Sequence, residues 1–156
     1  MDEIIVSENK AVLKSEITLS SLDFMTFEKL SQWHYHNERL ARWDWHSVRK
    51  TYKTHPKRFE LSIWHHKHFL TGASIGRPTW SGNKLRLDFI EANPSKSPLS
   101  GVITDIVIVA ASVYADAIGA SQIRIMQPVN EKVRNYYLSK PGFQYNAKEN
   151  FCYRNM

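Results

Sequence analysis

The sequence is poor in cysteine, holding one, Cys152, in 156 residues. A single thiol closes no internal disulfide, and no Cys/His spacing resembles a zinc site, so a disulfide-stapled or zinc-built fold is excluded and a reducing compartment is expected. The N-terminal stretch MDEIIVSENKAVLK lacks the basic segment followed by an apolar run that a secretory leader needs, and no apolar run reaches the length of a membrane span. A soluble, cytoplasmic protein with no membrane partner is the expectation. Glycine and proline number six each and form no linker or low-complexity tract, and no internal repeat is visible. What the chain does have is an apolar fraction of 42%, a charged fraction of 23% and five tryptophans. That composition belongs to one globular domain over residues 1–156, long enough to bury a real core.

Charge is unevenly placed. The net charge is +6, and residues 39–58 carry Arg39, Arg42, Arg49, Lys50, Lys53, Lys57 and Arg58 against Asp44 alone, which accounts for the whole excess. Such a block attracts nucleic-acid phosphate, a phosphorylated cofactor or an acidic partner, or else it is a solvated helix face. Aromatic rings (Trp33, Tyr35, Trp43, Trp45, Tyr52) are interleaved with it, a mixture that can stack bases and contact phosphates, although such tryptophans also serve as core. Histidines 65, 66 and 68 cluster around Lys67 at an expected hairpin turn, which supplies no convergent ligand set, so no metal is expected.

Periodicity orders the elements. AVLKSEITL (11–19) reads as a strand. A helix follows, with Phe24, Phe27, Leu30, Trp33 and Leu40 near helical spacing, and Asp44 then caps a second helix that His55-Pro56 closes. RFELSIWHH, FLTGASIGRP and LRLDFIEA read as three antiparallel strands, the last pair joined by a Ser-Gly-Asn turn. In the third, Leu85, Leu87 and Phe89 are expected on one face, with Glu91 sharing their parity unless a bulge turns it. Gly72 and Gly76 suit a strand bend or a close backbone approach. The apolar run 98–118 is assigned to a long helix by its length, with Ser97 as cap, Pro98 in the first turn and Gly119 as stop. A strand (QIRIMQPV), a helix capped by Asn130 and a terminal strand pair turning near Asn146 complete the chain. The order β-α-α-β-β-β-α-β-α-β-β implies a mixed α/β (α+β) fold, a central sheet flanked by helices.

That order, together with the run NEKVRNYYLSKPGFQY (130–145), resembles the Gcn5-related N-acetyltransferase (GNAT) superfamily over nearly the whole chain. The resemblance implies that acetyl-CoA donates an acetyl or other short acyl group to a primary amine by direct attack. It implies a pyrophosphate site at the loop and helix after the fourth strand and a fifth strand that splays to admit the pantetheine. The cofactor residues so implied are Ile90, Ala92, Lys96, Ser97, Leu99, Ser100, Gly101 and Asn130. Tyr137 matches the tyrosine that returns a proton to the thiolate, Tyr136 matches the core-facing aromatic before it, and Glu91 is the carboxylate placed to accept the amine proton. Four residues separate Tyr137 from Gly142 where the family usually has three, and NPSKSPLSG replaces the family's spaced glycines, with Pro94 and Pro98 offering no N–H. The acceptor, a small-molecule, peptide or RNA-linked amine, is expected against Trp33, Tyr35, Trp43 and Trp45. The alternative is a catalytically silent member of the fold that engages an acidic protein or nucleic acid through its basic helices. Exposed strands at the sheet end can support an oligomer.

Overall fold

The computed structural model describes residues 17–95, 99 and 101–156. Seven strands, β1 (Ile17–Ser20), β2 (Phe59–His65), β3 (Phe69–Pro78), β4 (Leu85–Ala92), β5 (Gln122–Met126), β6 (Gln144–Asn146) and β7 (Phe151–Asn155), form one sheet in the order β1-β2-β3-β4-β5-β7-β6. All neighbours are antiparallel except β4 and β5. Four helices join them: α1 (Phe24–Trp33), α2 (Trp45–Tyr52), α3 (Ile103–Ala117) and α4 (Glu131–Leu138). The mixed α/β expectation and the element order therefore hold.

Each face of the sheet is covered by its own apolar cluster. Leu22, Phe27, Leu30 and Trp33 of the α1 region pack with Trp45, Val48 and Tyr52 of α2 against Trp64, Leu70 and Ile75. On the opposite face Ile103, Ile106, Val107 and Ala111 of α3 meet Leu85, Leu87, Ile123 and Ile125, with Tyr137 and Phe143 closing that cluster. Three of the four helices start where the sequence supplies a side-chain cap. The Asp23 carboxylate accepts from the Thr26 amide at 2.9 Å, Asp44 from His46 at 3.0 Å and Asn130 from Val133 at 2.8 Å, each satisfying an amide that has no partner inside its helix.

Three expectations need correction. The first helix stops at Trp33, and Leu40 lies 68% exposed in the following loop, so its helical spacing was coincidental. The long helix begins at Ile103 with Val102 at its cap position, five residues after the expected Pro98; Gly101, at φ +92°, cannot continue a right-handed helix. Ser97 and Pro98, and residues 11–16 of the first strand, lie outside the described residues. Third, β4 is not regular. Gly76 pairs with Leu87 and Ile75 with Phe89, which leaves Asp88 as an extra residue. This bulge turns Phe89 onto the α1–α2 face beside Trp43 while Leu85 and Leu87 stay under α3. Gly76 makes it possible, because a Cβ there would stand 1.9 Å from the Arg86 carbonyl oxygen.

Candidate active-site cleft

β4 and β5 are paired at only three positions, Leu85 with Ile123, Arg86 with Arg124 and Leu87 with Ile125. From the Asp88 bulge onward β4 follows β3, and β5 follows β7. A cleft of about 290 Å³ opens where they part. Ile90 and Ala92 line one wall, Ile125 and Met126 the other; Tyr137 reaches it from α4 and Trp43 from the loop before α2. The cleft thus touches both faces of the sheet.

Tyr137 sits 8% exposed in the α3–α4 core. Burial, with Cys152 and Tyr136 nearby, pushes its hydroxyl up to about 12, so it carries its proton throughout the neutral range. Tyr136 does not face the core as the sequence suggests. It is 38% exposed, lies under the Lys140 ammonium at 4.4 Å and donates to the Gly101 carbonyl at 3.2 Å. Lys140 also pairs with Asp105 at 3.0 Å, so two contacts fasten α4 to the start of α3.

Glu91 is buried with both oxygens taken. Arg39 Nε donates to Oε2 at 2.7 Å, and Arg39 Nη2 and Trp45 Nε1 donate to Oε1 at 3.0 and 2.8 Å. The same guanidinium donates to the Trp43 carbonyl at 2.8 Å, which fixes the loop that roofs the cleft. Asp88 is held in turn by Arg86 at 2.9 Å and by the Tyr52 hydroxyl, which burial and this carboxylate push well above the usual phenol range. Arg39 and Asp88 are site residues the sequence reading missed. By sequence Arg39 reads as one more cation of the basic block because its partner stands 52 positions away, and the glycine inside a strand is the one local hint of the bulge.

The remaining expected residues fall as follows. Trp43 lines the cleft, whereas Trp33 is buried in the α1–α2 core and Trp45 meets the site through its indole N–H on Glu91. Tyr35 is 89% exposed and outside the cleft. Asn130 caps α4, Leu99 is fully buried, and Gly101 is placed beside Tyr136. Lys96, Ser97 and Ser100 lie outside the described residues. His66 and Lys67 take positive φ angles of 55° and 63° at the centre of the β2–β3 turn, the twist that a tight hairpin requires.

No family model matches this sequence, and neither does any curated protein sequence. Solved structures do match. An acetyltransferase of the GNAT family from Staphylococcus aureus superposes with a TM-score of 0.70 at 13% identity, covering 89% of this chain and 98% of that one. A mutant of spermidine N-acetyltransferase from Vibrio cholerae gives 0.66 at 10% identity, covering 90% and 94%. With its bulged fourth strand and parted β4 and β5, the chain has the fold of the Gcn5-related N-acetyltransferases.

Proposed function

We propose that this protein is an acyltransferase of the GNAT superfamily, using acetyl-CoA or a short-chain analogue to acylate a primary amine by direct attack. The observation that carries the reading is the cleft between β4 and β5 with Tyr137 buried in its wall. A gap in a sheet leaves backbone donors and acceptors on the facing edges of β4 and β5 that an extended pantetheine arm can satisfy, a use of the strand edge that a closed sheet does not permit. The thioester belongs at residues 88–92. The diphosphate belongs toward the loop before α3, where Lys96, Ser97 and Ser100 are the proposed contacts together with the Leu99 and Gly101 backbone.

In the reaction the amine lone pair forms the new C–N bond, the C–S bond breaks, and one proton passes in net from the amine to the thiolate. Tyr137, at about 12, is a far weaker acid than a thiol of roughly 8.5. Its hydroxyl therefore keeps its proton and acts as a hydrogen-bond donor to the departing sulfur, stabilising charge that develops there. Glu91, with both oxygens bound, contributes by holding Arg39 and the Trp43 loop over the acceptor end rather than by taking the proton itself. The acceptor fits between Trp43 and the bulge, its placement converting a bimolecular encounter into an oriented one.

Isothermal titration with acetyl-CoA is the test. Micromolar binding is expected, and absence of heat at millimolar ligand would leave the catalytically silent reading in its place. Where an acceptor from an amine panel is turned over, Tyr137→Phe should lower kcat by about 100-fold with the affinity for acetyl-CoA unchanged.

A further inference from the structure

The basic block resolves into two populations. Arg39 is spent on Glu91 and Arg58 pairs with Glu60 at 2.6 Å. Arg42, Arg49, Lys50, Lys53 and Lys57 are exposed, and among the described residues none is in an ion pair. The one carboxylate of the block, Asp44, is occupied capping α2. His46, Arg49, Lys50 and Lys53 follow helical spacing, so they share the outer face of α2 while Trp45, Val48 and Tyr52 are buried beneath it.

Beside this stripe lies a second feature. A hollow of about 270 Å³ between α1 and α2 is lined by Phe24, Phe27, Glu28, Ser31, His46 and Arg49. The Arg49 guanidinium stands 4.7 Å from the Phe27 ring centroid, the His46 ring is 5.5 Å from the same ring, and Phe24 is 73% exposed. A large ring so exposed loses the hydrophobic stabilisation that burying it would give, and an aromatic hollow edged by a cation complements a planar ring.

We propose that the outer face of α1 and α2 binds single-stranded nucleic acid, with a base stacked in the Phe24–Arg49 hollow and successive phosphates along Lys50 and Lys53. Charge complementarity selects a polyanion. Glu28 at the hollow disfavours phosphate inside it while offering an acceptor to a base amino group, so the base enters and the backbone stays on the lysines. The apolar face of α2 is committed to the core, which denies it to a lipid bilayer. The surface is separate from the β4–β5 cleft and does not depend on acyl transfer.

Fluorescence anisotropy with a labelled twelve-residue oligoadenylate RNA tests this. Two phosphate contacts predict a log-log salt slope near −1.4, an affinity loss of about sevenfold between 50 and 200 mM salt. The double variant Lys50→Glu with Lys53→Glu should weaken binding at least about tenfold at 50 mM. Phe24→Ala should weaken it about tenfold at both salts with the slope unchanged, the signature of a lost stacking platform. Both variants alter exposed positions and should leave the heat of acetyl-CoA binding as it is. No RNA binding at 50 mM salt overturns the proposal. So does RNA affinity indifferent to Phe24→Ala, or equal retention of polyglutamate or phosphatidylglycerol vesicles, either of which reduces the patch to a general anion surface.

Discussion

Arg39 reaches Glu91 with a side chain only 6% exposed, and that burial decides what the pair does. A buried charge left without its partner costs about 3–5 kcal/mol, whereas an exposed pair contributes well under about 1 kcal/mol. Arg39→Ala should therefore lower urea-unfolding stability by about 3 kcal/mol or more, and Arg134→Ala, whose partner Glu131 is 78% exposed, by less than about 1 kcal/mol. Equal losses would remove the anchoring role given to Arg39. The second residue-scale consequence concerns alkaline pH. Tyr137 has a folded pKa of about 12 against about 10 in the unfolded chain, so the folded state binds the proton more tightly. Its contribution is fully present below pH 10 and is lost as pH rises through 12, a loss of about 2–3 kcal/mol. Phenolate absorbance should show Tyr137 titrating in the late fraction, and Tyr137→Phe should flatten the stability decline above pH 10. At this scale the sequence was legible for Tyr137 and silent on Arg39, because adjacent letters identify a paired tyrosine but not a partner across the sheet.

Elements were read with better success where a local signal exists. Asp44 and Asn130 announced their helices because a short acceptor side chain just before an apolar period has a defined job. Leu40 misled because periodicity does not register where the chain leaves the helix, and the late start of α3 depends on Gly101 taking a left-handed conformation that flanking residues do not dictate. The Asp88 bulge was readable only as a glycine opposite a strand. Its dependence on that glycine is testable. A methyl at Gly76 meets backbone oxygen at 1.9 Å, which cannot yield without separating β3 from β4, while a methyl at Gly72 meets the Ile103 side chain at 2.6 Å, which can rotate. Gly76→Ala should cost at least about 3 kcal/mol and Gly72→Ala about 1–2 kcal/mol. Reversal of that order in chemical denaturation would mean that the bulge is not set by Gly76.

The whole molecule works as two half-sheets, β1 to β4 and β5 to β7, joined by three residue pairs and by the apolar cluster beneath α3. The strand order, with β7 inserted between β5 and β6, could not be spelled by any local pattern, since pairing of distant strands is settled by packing rather than by neighbouring letters. Family resemblance implies the splay; in the structure it coincides with the bulge, so that one irregularity both turns Phe89 and Glu91 toward Trp45 and releases β5. The gap should then report on the ligand directly. In hydrogen exchange the gap-facing amides of residues 88–92 lack a β4–β5 partner, so they should exchange faster than those of residues 85–87 and become protected by acetyl-CoA. Amides of α2 should not respond to that ligand, because the nucleic-acid surface lies outside the cleft. Protection confined to α2, or spread evenly over the sheet, would place the ligand somewhere other than between the parted strands and would detach the acyl-transfer reading from the geometry on which it rests.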